Sequence, residues 1–135
     1  MKPAFCFLLL AAVAVAEEHS STRDGVYTEQ QADRGQSAYK QSCAKCHGET
    51  LKGKGATTPP LAGPSFMANW EGQTVFDLFE KTQTTMPADH PGSLSRAENT
   101  DILAYILECN KLPAGKRKLA NGEDALKQIK VEAAK

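Results

Sequence analysis

The sequence has no excess of charge of either sign. Its 135 residues include 16 Lys and Arg and 16 Asp and Glu, so the formal net charge is zero. Proteins that hold nucleic acid by its phosphates carry a basic surplus, so no nucleic-acid partner is expected. Repeats and alternating strand patterns are also missing, which favours an all-α fold. The length is typical of one domain.

The sequence also lacks an apolar run long enough to span a membrane. Ala4 to Val15 is apolar over 12 residues, whereas a spanning helix needs about 20. Lys2 precedes this run, and the small residues around Ala16 follow it, as in a secretory signal peptide. We therefore expect residues 1–16 to be removed near Ala16, giving a periplasmic or otherwise secreted protein with no membrane span. An uncleaved anchor is the alternative, and residues 17–27 read as a loose leader.

The cysteines do not form an even set once the signal peptide is removed. Cys6 leaves with it, and Cys43, Cys46 and Cys109 remain. An odd number in a secreted chain argues against a simple disulfide scaffold. Two of the three stand in Cys43-Ala44-Lys45-Cys46-His47, the C-x-x-C-H signature of covalent haem attachment. Two thiols at this spacing can reach the two vinyl groups on one side of a porphyrin, and the adjacent imidazole can reach the iron. The motif predicts one covalent haem c on Cys43 and Cys46, with His47 as an axial ligand.

Two other interpretations of this motif are weaker. A redox-active Cys43–Cys46 disulfide normally lies in a strand–helix–strand context, which this sequence does not provide. A structural zinc site normally needs four protein ligands. The candidates for the fourth do not form a second ligand pair: His19, His90 and Cys109.

Three helices are expected from periodicity and capping. Thr28 and Gln31 have the form of a capping box before a helix from Glu29 to Ser42. An apolar pattern predicts a second helix over 74–82. Ser95 and Glu98 form another capping box, which opens a helix from Arg96 to Glu108 that ends at Asn110 and Pro113.

The segments between these helices are rich in glycine and proline. Residues 48–63 and 84–94 are expected to be loops. Long loops are uncommon in a small domain unless something else orders them, and a central prosthetic group would do so. The domain is assigned to residues 28–113. The tail, 114–135, either forms a short helix over 123–130 that docks Leu126 and Ile129, or is frayed.

An electron carrier needs a second axial ligand on its iron, and methionine opposite histidine raises the reduction potential. Met86 lies in a loop just before the last helix, and Pro87 would stiffen that loop. Met67 stands among Phe66, Ala68 and Trp70, where core filling is the simpler interpretation. Met86 is therefore the predicted ligand. His90, four residues later, is read as a surface histidine.

The chain resembles the class I cytochromes c over about residues 27–113. The resemblance rests on the C-x-x-C-H motif, Met86-Pro87 and the capped final helix. The segments Pro60-Leu61-Ala62-Gly63, Phe66-Met67-Ala68-Asn69-Trp70 and Met86-Pro87-Ala88-Asp89 further resemble haem modules beside, or fused to, bacterial quinoprotein alcohol dehydrogenases. The resemblance implies a small cytochrome c fold, with three to five short helices and long loops wrapped around one covalent haem.

The resemblance also implies roles for single residues. Gly35 and Tyr39 would cross the last helix near Tyr105. The Pro60 carbonyl would accept a hydrogen bond from the free ring nitrogen of His47, and Leu61 would pack on the haem. Trp70 would either bond a haem propionate or serve as core packing. Cys109 departs from the family pattern and is read as a small buried hydrophobe.

The resemblance implies a single-electron carrier rather than an enzyme. Its partners would be redox proteins, including a quinoprotein dehydrogenase as donor and a terminal oxidase as acceptor. Four lysines flank the motif and would either steer an acidic partner or be ordinary solvated side chains: Lys40, Lys45, Lys52 and Lys54. A haem enzyme or gas sensor is the alternative if Met86 does not bind iron, and a zinc-stabilised binding module is the alternative if no haem is attached.

Overall fold

The computed structural model describes residue 1 and residues 20–135, so the predicted signal peptide lies almost wholly outside the described residues. The fold of the described part is all-α, as expected. Its six α-helices are α1 (Glu29–Ser42), α2 (Ala44–His47), α3 (Pro64–Trp70), α4 (Val75–Thr85), α5 (Arg96–Cys109) and α6 (Glu123–Lys127). A 3-10 turn covers Thr22–Asp24, and a short parallel ladder pairs β1 (Ser20–Ser21) with β2 (Ile129–Lys130).

The centre of the fold is the crossing of α1 and α5. A Cβ atom on Gly35 would lie 1.8 Å from the carbonyl oxygen of Asp101 and 3.0 Å from Cβ of Tyr105. The rings of Tyr39 and Tyr105 lie 5.4 Å apart at this crossing. The predicted crossing is therefore confirmed, because only glycine lets the two backbones approach this closely.

The caps of α1 and α5 explain where these helices begin. Ser95 and Glu98 form the predicted reciprocal capping box. At α1 the prediction is half right: Thr28 accepts from the backbone N–H of Gln31. The Gln31 side chain does not return to the cap. It is buried and pairs with the backbone of Leu119, donating to its carbonyl at 3.1 Å and accepting from its N–H at 2.7 Å.

The middle of the chain contains more helix than the sequence pattern predicts. Thr74 and Asp77 form a capping box, and α4 continues to Thr85, so the second loop begins at Met86 and not at Thr84. The helix α3 was not expected. Its start is set by Pro64, whose fixed φ suits the first helical position, and it buries Phe66.

The two ends of the described chain bind one another, whereas residues 17–27 were expected to be a loose leader. Ser20 and Ser21 pair with Ile129 and Lys130. Thr22 is fully buried, and its hydroxyl exchanges hydrogen bonds with the backbone carbonyl and N–H of Glu132 at 3.0 and 2.9 Å. The sequence pattern did not predict this ladder, because each strand is only two residues long.

Residues 111–135, here called the strap, include the predicted tail (114–135) and pack against the rest of the described chain. The Gly115 N–H donates to the Tyr27 carbonyl at 2.6 Å. Further along, α6 packs on α4 and buries Leu126, while Ile129 and Val131 are also buried. The tail therefore docks Leu126 and Ile129 as one expectation had it, but the helix ends at Lys127 and not at 130, and Ile129 belongs to β2. The packed residues extend beyond 28–113. Within the described residues, no helix is both long and apolar enough to cross a membrane.

Candidate functional site

The C-x-x-C-H motif lies where α1 ends. The Cys43 N–H donates to the Tyr39 carbonyl at 2.8 Å, and the short helix α2 then carries Cys46 and His47. The Tyr39 hydroxyl donates to the Gly48 carbonyl at 2.7 Å. Burial raises the pKa of Tyr39, so the phenol keeps the proton that it donates. The motif is thus held from both sides by a buried residue of the helix crossing.

Both thiols of the motif are free, which covalent attachment requires. Cys43 is half-buried, and burial raises its pKa to about 11. Cys46, three residues later, is exposed. A Cys43–Cys46 disulfide is not formed. Attachment of haem through these two thiols stays a prediction that the arrangement accommodates.

His47 is held by a carbonyl other than the expected one. Its ring is buried, with 7% of the residue exposed, and Nδ1 donates to the Pro59 carbonyl at 2.9 Å. The assignment of that carbonyl to Pro60 was therefore wrong. A carbonyl only accepts, so Nδ1 carries the hydrogen, and in the neutral imidazole the lone pair is then on Nε2. This is the tautomer that a histidine ligand needs, with its other nitrogen fixed by the protein.

The carbonyl of Pro59 reaches His47 because residues 48–63, the proline loop, fold back on themselves. The Gly53 N–H donates to the His47 carbonyl at 2.8 Å. Gly53 has a φ of +76°, and a Cβ there would lie 2.3 Å from the Thr58 carbonyl oxygen. This close approach brings the Pro59 carbonyl within hydrogen-bonding distance of Nδ1 of His47. The sequence shows a glycine-rich loop here, but not which carbonyl it presents.

Asn110, at the end of α5, holds the far end of the proline loop. Its Oδ1 accepts from the Gly63 N–H at 3.0 Å, and its Nδ2 donates to the Leu61 carbonyl at 3.0 Å and the Ile106 carbonyl at 2.8 Å. Sequence reasoning treated Asn110 only as a helix end. A polar residue next to the last helical turn was the available signal, but its partners lie far away in sequence.

Met86 immediately follows α4, and its N–H donates to the Thr82 carbonyl at 3.0 Å. Its side chain is half-buried. The loop that it begins is tied to the helices by Gln83, whose amide donates to the Leu94 carbonyl at 2.7 Å. Asn99 of α5 in turn donates to the Gln83 side chain at 3.0 Å. Iron ligation by Met86 stays a prediction, made for a methionine in an anchored loop.

Three side chains from the segments that resemble haem modules pack against the hydrophobic core. Leu61, Met67 and Trp70 are half-buried there. The Trp70 and Phe66 rings lie 6.4 Å apart. His90 is exposed, and within the described residues no three His, Cys, Asp or Glu side chains gather as a metal site. The roles of Pro60, Leu61 and Trp70 beside a haem stay predictions.

The structure also locates Cys109 and the four predicted lysines. Cys109 is half-buried, less so than expected, and burial raises its pKa. The four flanking lysines are all exposed, and Lys54 donates to the Lys45 carbonyl at 3.0 Å. These lysines are Lys40, Lys45, Lys52 and Lys54.

Comparison with known proteins agrees with this arrangement. The family described as "Cytochrome C oxidase, cbb3-type, subunit III" matches residues 30–106, more than half of the chain. That stretch includes the C-x-x-C-H motif, the proline loop and Met86. Among solved structures, the chain is similar to the sulfane dehydrogenase SoxCD from Paracoccus pantotrophus, with a TM-score of 0.52 and 20% identity. The likeness covers 92% of this chain and 68% of that chain, and at this identity it supports the fold alone. No curated protein sequence matches the chain.

Proposed function

Because this chain belongs to the family described as cytochrome C oxidase, cbb3-type, subunit III, and is a class I c-type cytochrome whose domain implies haem-based electron transfer, we propose that it is a secreted, periplasmic single-electron carrier. In this proposal one haem c is attached through Cys43 and Cys46, with His47 and Met86 as axial ligands. The observation that carries it is the hydrogen bond from His47 Nδ1 to the Pro59 carbonyl, because it leaves Nε2 free to ligate.

When bound, the haem supplies a ferric–ferrous couple. The chain's own residues fix the conditions in which that couple works. The proline loop orients His47 through the Pro59 carbonyl, and a ligating histidine held in this way would favour ferric iron. A half-buried methionine in an anchored loop would raise the potential and fill the sixth position. Both axial positions would then be filled, which favours outer-sphere electron transfer over substrate binding.

Carbon monoxide distinguishes a carrier from a haem enzyme or gas sensor. The protein would be secreted by a host with cytochrome c maturation machinery and first examined by haem staining on a denaturing gel. Haem that stays with the chain supports covalent attachment. In the ferrous protein, slow or absent binding of carbon monoxide is expected for a filled sixth position. Rapid binding would favour the enzyme or sensor, and a colourless protein containing zinc would reject haem attachment altogether.

The donor and acceptor belong to the same proposal. We propose a dehydrogenase as donor, of the quinoprotein type that the sequence resembles, and a terminal oxidase as acceptor. In this proposal the exposed lysines near Cys46 would meet an acidic partner, and complementary charge would mainly raise the association rate. Replacing Lys45 and Lys52 by Glu is expected to slow electron transfer at low salt, with the difference shrinking as salt is added.

A matched control lies at the other end of α1. Lys116 and Lys118 are exposed on the strap, which binds Tyr27 and Gln31 at the start of that helix. The 14 residues of α1 span about 21 Å, so glutamates at 116 and 118 change the net charge equally but far from the motif. This control should transfer electrons at the wild-type rate. Equal slowing by both pairs would reject a local docking surface.

Secretion is tested by the N-terminus of the purified protein. Cleavage near Ala16 would leave Glu17 as the first residue, found in the periplasmic or culture fraction. A chain that retains residues 1–16 and sediments with membranes would support the uncleaved anchor instead.

A further inference from the structure

Asn110 uses its whole amide to join the proline loop to α5. Oδ1 accepts from Gly63, and Nδ2 is shared between the carbonyls of Leu61 and Ile106, at distances of 2.8 to 3.0 Å. The buried helix α5 is fixed by its crossing with α1. Asn110 therefore ties the closing end of the loop to a rigid part of the molecule.

The loop is also closed at two points nearer His47. The Leu61 N–H donates to the Leu51 carbonyl at 2.7 Å, and the Gly53 N–H donates to the His47 carbonyl at 2.8 Å. The Pro59 carbonyl, which accepts from His47, lies two residues before Leu61. The intervening Pro60 has a nearly fixed φ, so a displacement of Leu61 is passed on to that carbonyl.

We propose that Asn110 is a positioning residue for His47, which acts by holding the proline loop so that the Pro59 carbonyl accepts the Nδ1 hydrogen. This inference rests on the proposed haem ligation by His47. It assigns to a residue outside the family-matched segment, 30–106, a part in setting the reduction potential. Asn110 itself touches neither the imidazole nor the proposed cofactor.

The direction of the effect follows from the chemistry of the imidazole. Donation from Nδ1 to a carbonyl makes the other ring nitrogen a more basic ligand, and a more basic ligand favours ferric iron. Freeing the loop from Asn110 lengthens or breaks this hydrogen bond. The reduction potential of the variant should therefore be higher than that of the wild type.

The test compares holoproteins by potentiometric titration and by hydrogen exchange of the Gly63 amide. Asn110→Ala is expected to raise the potential and to speed this exchange. Asn110→Ser is neutral and can restore one of the lost bonds, so its shift should be smaller. If Asn110→Ala does not accumulate as holoprotein, Asn110→Ser decides by the same two readouts.

Gln31→Ala is the matched control for a merely structural effect. Gln31 also binds a backbone N–H and carbonyl, those of Leu119, but at the other end of α1. The Gln31→Ala substitution should lower the melting temperature without changing the reduction potential. An unchanged potential in both Asn110 variants, or an equal shift in Gln31→Ala, would overturn the inference.

The two proposals fail in different ways. A wild-type protein that carries no haem, or shows no reversible one-electron couple, rejects both the proposed function and this inference. A normal couple that the Asn110 variants do not move rejects this inference alone.

Discussion

The backbone of Gly35 lies directly against the carbonyl of Asp101, with no space for a side chain between the two helices. A Cβ on Gly35 would come within 1.8 Å of that oxygen and 2.5 Å of its carbon. Because the neighbour is helix backbone and not a flexible side chain, it cannot move aside locally. The crossing of α5 with α1, the helix that leads into the C-x-x-C-H motif, therefore depends on this glycine.

We expect Gly35→Ala to lower the free energy of unfolding by about 2–3 kcal/mol, as overpacking does, even though alanine favours helix. Gly122→Ala is the control, since Gly122 has an ordinary φ of −84° and open space where its Cβ would be. It should change stability by less than about 1 kcal/mol. Denaturant melts of the two holoproteins measure both values, and equal losses would contradict the close approach.

A second pair of glycines tests the proline loop. Gly53 and Gly55 have nearly the same φ, +76° and +74°, so alanine is similarly strained at both. Only at Gly53 would the new Cβ meet a backbone atom, the Thr58 carbonyl oxygen at 2.3 Å. Gly53→Ala should disturb the His47–Pro59 hydrogen bond and raise the reduction potential, whereas Gly55→Ala should leave it unchanged. If both substitutions shift the potential equally, backbone strain and not loop closure is responsible.

Tyr27 predicts how stability depends on alkaline pH. Burial, with a smaller contribution from Glu108, raises its pKa from 10.0 to about 12, and its hydroxyl donates to the Leu112 carbonyl at 2.6 Å. The unfolded chain therefore loses this proton first. The raised pKa of Tyr27 contributes to the free energy of unfolding. This contribution is complete below pH 10, and about 2–3 kcal/mol of it is lost as the pH rises towards 12.

The control for this prediction is Tyr27→Phe. Below pH 10 the variant should be less stable than the wild type, since the Leu112 carbonyl loses its donor. Between pH 10 and 12 the two stabilities should converge. In the wild type, Tyr27 ionises in the unfolded chain before it does so in the folded protein, which lowers stability, whereas phenylalanine has no proton to lose. Parallel pH profiles would show that Tyr27 does not titrate differently in the folded and unfolded states.

Counting free thiols tests the covalent attachment of haem without using the visible spectrum. The chain has four cysteines. Under denaturing conditions, alkylation should modify one cysteine per mature chain, Cys109, if Cys43 and Cys46 carry thioethers and Cys6 has been removed. Three modified cysteines would mean that the haem is not attached. Two would mean either that residues 1–16 are retained or that only one thioether has formed. Intact mass measurement distinguishes these outcomes.

Cys109 adds a kinetic check in the native protein. Burial raises its pKa above the ordinary value of 9.0, so little thiolate is present at pH 7. Alkylation of the folded holoprotein should be slower than that of the unfolded chain and should accelerate as pH rises beyond 9. Equally rapid alkylation at pH 7 would contradict its partial burial.

The sequence predicts the elements whose signals are local. Helices α1 and α5 are long, periodic and capped, and Gly35 and Tyr39 met α5 near Tyr105 as expected. The short helix α3 was missed because seven residues give little periodicity. The bounds of α4 were short by three residues at its end, since its threonines resemble a loop in composition.

The predictions that were wrong or missing concern contacts between segments that are distant in sequence. Gln31 has the spacing of a capping residue, yet its amide binds Leu119, 88 residues away. Pro59 and Pro60 are adjacent, and only the fold of the loop around Gly53 decides which carbonyl meets His47. Asn110 binds Leu61 across 49 residues. Spacing along the chain carries no information about such pairs.

The central claim, a haem held between His47 and Met86, is tested most directly by visible absorption spectra of the oxidised and reduced protein. The wild type should be low-spin, with the weak ferric sulfur-to-iron band that methionine ligation produces. That band should disappear in Met86→Ala and persist in Met67→Ala. A band that survives Met86→Ala, or a high-spin wild-type spectrum, would contradict the account.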